Sequence, residues 1–307
     1  MITIILTPLR TEYINYFIDV ARHYDTVIIE APEVDSVKKF LNGEIGIDEL
    51  LYDIEYFDVE YTKLFYESLR ELSSKGITVI PIDPYSLRAM KIRTLIITGK
   101  GLVGLDSNDK YIAYIESSIG EIMRNYNTSL LRRDFDELVN YTIKYAKIDA
   151  ERIKFRSELR ARGVVKILQG LRGDVLIHAD YYNEIFAKYL SSKLGCKPGV
   201  VSLINVVSKK LGVDIPHPPG LRLTLNYTYN NYMDDTEKRE LGAKSLLYVI
   251  LRSRILGRIS TLMDYERKIR VDASILRFIY KLNYERAKKV FHDLFTKDVF
   301  KVRLRLT

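Results

Sequence analysis

Cysteine occurs once in this chain of 307 residues, at position 196, which excludes an intramolecular disulfide and any zinc cluster built from several thiolates. Flanked at short range by Lys193 and Lys197, that thiol reads as a small surface or core residue rather than an activated nucleophile. Histidine is nearly as scarce. The four copies, at 23, 178, 217 and 292, form no H-x-x-x-H or H-E-x-x-H spacing, so no local metal motif exists. No apolar run approaches the roughly 20 residues that span a bilayer, and the N-terminus lacks the basic, then apolar, then small-residue pattern of an export signal. The expectation is a cytoplasmic protein with no membrane partner. Glutamine also occurs once, at 169, against 48 Lys+Arg and 40 Asp+Glu, a balance seen in heat-adapted proteins, where charge serves stability before it serves function.

What the chain does contain is ample apolar material, 47% of residues, with 29% charged, the composition of a globular protein of one large or two smaller domains. Its formal charge of +8 is divided unevenly. Residues 1–150 carry 17 Lys+Arg against 24 Asp+Glu, a net of −7, and residues 151–307 carry 31 against 16, a net of +15. Such a division points either to an anionic partner for the second half or to a basic face that docks on the acidic half.

The first half alternates short continuous apolar runs with helical periodicity. Ile2 to Leu6, Thr26 to Ile29, Ile77 to Ile82 and Asp174 to Ile177 read as buried strands. Pro81 places the third at a sheet edge or a strand end. Between them, Thr11 is a candidate cap for a helix carrying Ile14, Phe17, Ile18 and Ala21. Pro32 marks the start of another that ends at Gly43, and an acidic helical stretch from Asp48 to Lys75 places Phe65, Leu69 and Leu72 on one face. Residues 86–98 fit either a helix capped by Ser86 or a strand at Thr94 to Thr98. Helical patterning runs with interruptions from about Ile112 to Leu171, and Tyr182 to Leu194 follows the fourth strand as its helix. Beyond a proline-rich connection at Gly212 to Gly220, Leu221 to Tyr229 alternates as a half-buried strand. Two helical regions follow, from Asp235 or Thr236 to about Met263 and from Asp272 to Phe295, and the alternating FKVRLRLT end is a candidate strand to pair with Leu221 to Tyr229. The predicted class is α/β, a mostly parallel sheet covered by helices. The predicted division is 1–195 and a basic, mainly helical region at 196–307 containing a short β pair.

Ligands to parallel sheets bind outside the C-terminal strand ends, which singles out Thr7, Arg10, Glu30, Asp83, His178 and Asp180. Glu30 ends an otherwise apolar strand, and with Glu33 and Asp83 it would form an acid–base pair or a hard-metal site if the three converged; Glu33 reads more simply as a cap or solvated turn. Arg152, Arg156 and Arg160 recur every fourth residue on one helix face, and Arg152 is the candidate to enter the same mouth, with a solvated salt-bridged face as the competing reading. His178 follows a buried strand, with Asp180 two residues on. Gly99, Gly101 and Gly104 match G-x-G-x-x-G, but turn-like Leu105 to Lys110 follows where a dinucleotide site needs a helix, so a flexible loop is the simpler reading.

The succession IIEAP, FLNGEIGIDELL, GITVIPIDPY, ERIKFRSELRARG and GDVLIHAD, over about residues 1–195, resembles the TraB/PrgY, EreA and ChaN-type superfamily. That resemblance implies a hydrolytic or metal-binding site formed by a Glu after the second strand, an Arg in an E-R-type helix and two G-x-x-H segments. Glu30 and Arg152 match. The two segments read Thr7-Pro8-Leu9-Arg10 and His178-Ala179-Asp180-Tyr181, so Arg10 and Tyr181 stand where the resemblance implies histidines.

Arg10 puts a permanent cation where a divalent metal would be repelled and where a phosphate or carboxylate would be welcome, while Tyr181 retains a proton or hydrogen bond to donate. The expectation is a pocket for a small anionic ligand, its metal-dependent hydrolysis altered or lost, with Glu30, Arg152, His178 and Tyr181 as candidate catalytic groups, Arg10, Asp83 and Asp180 as ligand-binding groups, and no metal or cofactor assigned. Two other readings stay open. Residues 238–307 carry 18 Lys+Arg against 7 Asp+Glu, interleaved with Tyr248, Tyr265, Tyr280 and Tyr284, which suits nucleic acid. Leu246, Leu247, Ile250, Leu251, Ile255, Ile259 and Leu262 form an apolar stripe suited to a homodimer or, more simply, to intrachain packing.

Overall fold

The computed structural model describes residues 1–54, 58–101, 104–256 and 265–296. Their elements in chain order are β1 (Ile2–Thr7), α1 (Thr11–Ala21), β2 (Thr26–Ile29), α2 (Asp35–Leu41), α3 (Ile47–Asp53), α4 (Val59–Ser74), β3 (Thr78–Pro81), α5 (Pro84–Ile97), α6 (Ser107–Arg132), α7 (Phe135–Leu168), β4 (Val175–Asp180), α8 (Ile185–Leu194), β5 (Gly199–Ser202), α9 (Leu203–Leu211), α10 (Pro219–Thr228), α11 (Asp235–Leu256), α12 (Tyr265–Tyr280) and α13 (Tyr284–Thr296). A 3-10 turn, Tyr181–Asn183, joins β4 to α8. The chain divides into two compact units, one of residues 1–114 and 152–210, the other of 115–151 and 211–307. This division differs from the expected one at 195, because β5 adds to the sheet beside β1.

In the first unit the five strands form an all-parallel sheet in the order β3-β2-β4-β1-β5. Pro81, which lacks an amide proton, closes the edge strand β3 opposite Ile29, where the ladder loses least. Alternation along the strands sorts their side chains. Ile4, Leu6, Ile28, Ile177 and Ala179 join Ala161 and Val164 of α7 and Phe186 and Leu190 of α8 in one buried cluster. On the opposite face Phe17 of α1 and Phe65 of α4 pack on His178 with ring centroids 5.0 Å away in each case. The chain therefore leaves β1 and β2 toward one face and β3 and β4 toward the other. With β4 lying between β1 and β2, loops diverge on both of its sides, and divergence of this kind opens a crevice at the C-terminal rim.

The opposite end of the sheet is clamped. Asp25 Oδ2 accepts the Asp174 amide at 2.6 Å, and the Asp174 carbonyl accepts the amides of Asp25 and Thr26 at 3.0 and 3.1 Å. Gly173 makes this approach with φ +84°, and a Cβ there would stand 2.2 Å from Asp25 Oδ2. Gly173→Ala is expected to lower stability by at least about 1–2 kcal/mol, read from the urea midpoint, since it adds a left-handed alanine to a clash. An unchanged midpoint would show that the clamp yields freely.

In the second unit, Phe135, Leu138 and Val139 of α7 pack with Leu246, Leu247 and Leu251 of α11, Ile275 and Ile279 of α12, and Phe291 of α13. The apolar stripe of α11 is consequently spent inside this core, with Ile250 and Ile255 packed against it; Ile259 and Leu262 lie outside the described residues. Leu221 to Tyr229, expected as a strand, forms α10 instead. Pro219 occupies the first turn, where a missing amide proton costs nothing, and Leu221, Thr224 and Thr228 recur on its buried side at helical spacing. The partner strand expected at 300–306 lies outside the described residues. Residues 86–98 resolve as the helix α5, capped by Asp83 rather than Ser86.

Candidate functional site

Glu30 and Asp83 follow β2 and β3 and meet at the rim through two arginines of α7. Glu30 Oε2 accepts Arg160 Nη1 at 3.2 Å and the Asp180 amide at 3.0 Å, while Oε1 accepts Asn183 Nδ2 at 2.5 Å and pairs with Arg156 Nη2 at 3.1 Å. Asp83 Oδ2 accepts Nε and Nη2 of Arg156 at 3.0 and 2.5 Å and the Ser86 hydroxyl at 2.5 Å. Arg160, 1% exposed, donates Nε to the Ile82 carbonyl at 3.0 Å and Nη2 to the His178 carbonyl at 2.6 Å, and lies 4.8 Å from the Phe186 ring centroid. One buried guanidinium thus ties three strand ends together.

The electrostatics follow from this pairing. Burial alone would raise the pKa of Glu30, but Arg156, Arg160 and the Asp180 amide outweigh it and hold Glu30 at about 2. It is a fixed anion, unsuited to acid–base work near neutrality. Burial lowers the pKa of Arg160, with Arg156 adding to that and Glu30 and Asp83 opposing, yet a guanidinium stays charged. Desolvation works against the cation of Arg156 too, but Asp83 and Glu30 dominate and raise its pKa. Arg152, one turn away, opposes them with its like charge.

The other sequence candidates fall into two groups. His178, expected at an open rim, is 2% exposed under Phe17 and Phe65. Burial drives its pKa down to about 3, with Arg160 contributing and Glu30 resisting, so it is a neutral imidazole at pH 7 rather than a ready general acid. Arg10 is the residue before α1, in extended conformation; Asp180 Oδ1 accepts the Tyr182 amide at 3.4 Å at the start of the 3-10 turn. Tyr181 packs against the α7–α8 side of the sheet and stands 4.9 Å, edge-on, from Tyr182. Arg156 and Arg160, the two arginines that follow Arg152 on the same helix face, pair with Glu30. Asn183 and Tyr61 were not singled out in the sequence; Tyr61 stacks on Phe65 at 5.4 Å, and the spacing of four between them is the signal that could have found it. Glu33 is exposed. Gly101 and Gly104 flank residues 102 and 103, which lie outside the described residues.

The donor set does not suit the metal that the resemblance implies. Both carboxylates are occupied by guanidinium groups, and among the described residues no cluster of three or more His, Cys, Asp or Glu side chains is placed to hold an ion.

The basic region also looks different once folded. The first unit carries 24 Lys+Arg against 22 Asp+Glu and the second 24 against 18, chiefly because the basic stretch 152–210, 12 Lys+Arg against 4 Asp+Glu, belongs to the first unit. Asp136 accepts Lys288 Nζ at 2.5 Å and the Tyr284 hydroxyl at 2.5 Å. Tyr280 donates to the His217 carbonyl at 2.6 Å, and Tyr248, expected to stack on bases, is 4% exposed with its hydroxyl 2.9 Å from Asp272 Oδ1.

These features define an α/β protein whose five-stranded parallel sheet is flanked by helices, and no helix among the described residues is long and apolar enough to cross a membrane. The chain is similar to a protein of Archaeoglobus fulgidus described as uncharacterised, 23% identical over 289 residues that cover 94% of this chain and 97% of the relative. No family model matches the sequence, and no solved structure matches the fold.

Proposed function

We propose that the α/β unit binds a small anionic ligand at the C-terminal rim of its sheet, in a pocket like that of the TraB/PrgY, EreA and ChaN-type proteins but without their metal chemistry. The observation that carries this reading is the convergence of two guanidinium groups of α7, Arg156 and Arg160, on the C-terminal strand ends of the sheet. They lie one turn apart and pair with Glu30 and Asp83, which follow β2 and β3. Arg156 remains 26% exposed at the mouth, beside the like charge of Arg152. Guanidinium forks at a crevice between diverging loops are suited to phosphate or carboxylate, and an anion would relieve the repulsion between them.

Thermal melts with inorganic phosphate, methyl phosphate or succinate at low ionic strength test this directly. At least one anion is expected to raise the midpoint, with about 2.7 kcal/mol of added stability when its concentration reaches 100 times its Kd. Salt should reverse the effect, and Arg152→Gln should weaken the affinity about tenfold. Indifference to every anion at low salt would overturn the reading.

A further inference from the structure

The face of the sheet covered by α1 and α4 holds three polar side chains whose buried atoms have no hydrogen-bond partner: Oγ1 of Thr7, both ring nitrogens of His178 and the hydroxyl of Tyr61. They belong to one corner. Thr7 pairs in register with Asp180, His178 lies two residues before Asp180 on the same side of β4, and the charges of Asp180 and Glu30 both act on the Tyr61 phenol. Phe17 and Phe65 supply apolar walls. Native interiors pair nearly all buried polar groups, so a gathering of unpaired ones at the crevice of a parallel sheet calls for a missing partner.

Resting on the anion-binding reading above, we propose that the ligand is a hydroxylated anion of the polyol or sugar phosphate type. Its charged head sits at the arginines of the rim, and its hydroxyl groups bond to Thr7, His178 and Tyr61 beneath. The complementarity lies in the hydrogen-bonding valences. A threonine hydroxyl donates and accepts, a neutral imidazole does one at each nitrogen, and a phenol donates, so hydroxyls that do both can satisfy all three, whereas an alkyl chain leaves them orphaned. Specificity should therefore be large, because a site built to hydrogen-bond a hydroxyl discriminates strongly against the analogue without it.

Calorimetric titration of the full chain with glycerol phosphate, ribose phosphate, propyl phosphate and inorganic phosphate separates head from body. At least one hydroxylated phosphate is expected to bind about tenfold or more tightly than propyl phosphate. Thr7→Val and Tyr61→Phe should each cut that preference at least about threefold, and neither should melt below wild type without ligand, since neither loses a hydrogen bond. Equal affinity for hydroxylated and propyl phosphates, or a preference unmoved in both variants, would overturn the hydroxyl assignment while leaving the anion site standing. Binding by none of the four would remove the sugar-phosphate assignment, and indifference to succinate as well would remove the anion reading.

Discussion

Arg160→Met is expected to destabilise the α/β unit by about 3–5 kcal/mol, the cost of removing one partner from a buried ion pair. The reason is what stays behind. Glu30 would keep a buried Oε2 with only the Asp180 amide, and the carbonyls of Ile82 and His178 would each lose a donor. Methionine fills the space against Phe186 but supplies none of these hydrogen bonds. A second substitution makes the test specific. In Glu30→Gln/Arg160→Met the orphaned charge is gone, so a good part of the loss should return, giving a coupling energy of the size seen for contacting residues, about 0.5–3 kcal/mol. Arg162→Met, two residues along the same helix but 59% exposed, should change stability by no more than about 0.5 kcal/mol. Urea midpoints for the wild type, Glu30→Gln, Arg160→Met, the double variant and Arg162→Met decide the matter, and equal losses for Arg160→Met and Arg162→Met would refute the account of Arg160 as the tie between strand ends.

Acidification provides the second large effect. His178 titrates at about 3 in the folded chain against an ordinary 6.5, so the unfolded state binds its proton first as the pH falls. Stability attributable to a neutral His178 is therefore complete above about pH 6.5 and is lost progressively down to about pH 3. Glu30, held at about 2 against 4.5, begins to contribute its own loss only below about pH 4.5. The window between 6.5 and 4.5 isolates the histidine. There the wild type should lose on the order of 2–3 kcal/mol relative to His178→Leu, which removes the titrating group and keeps the apolar packing against Phe17 and Phe65. Denaturant titrations of the two proteins at several pH values measure the difference. Parallel stability curves through that window would mean that His178 is accessible to protons in the folded state.

Three of the five strands are legible because a strand buried on both faces leaves an uninterrupted apolar run, as in Ile2 to Leu6 and Thr26 to Ile29, and the edge strand β3 is legible from the apolar run Ile77 to Ile82 although it is only partly buried. The fifth, Gly199–Ser202, has only four residues and stays largely uncovered at the sheet edge, so burial never stamped a pattern on it. Leu221 to Tyr229 misled for a different reason: leucines at every second position also satisfy part of a helical face, and Pro219 was the start signal that decides between them. Strand ends alone single out Glu30, Asp83 and Asp180, and the sheet topology brings those ends together. Which of three equally spaced arginines would reach Glu30 depends on where a helix of 34 residues crosses the rim, and spacing carries no such information. His178 reads as the residue after a strand that ends at Ile177, but β4 runs on to Asp180 and holds His178 opposite Ile5; whether its ring meets solvent or Phe17 depends on strand alternation and on helices from distant sequence.

The most direct test is the stability of the full chain at low ionic strength as a hydroxylated phosphate is added. Above its Kd the unfolding free energy should climb by about 1.4 kcal/mol for each tenfold increase in ligand, and the climb should start at higher concentration in Arg152→Gln. A flat line for the wild type across the millimolar range, with this ligand and with succinate alike, would contradict the claim that this rim receives an anion.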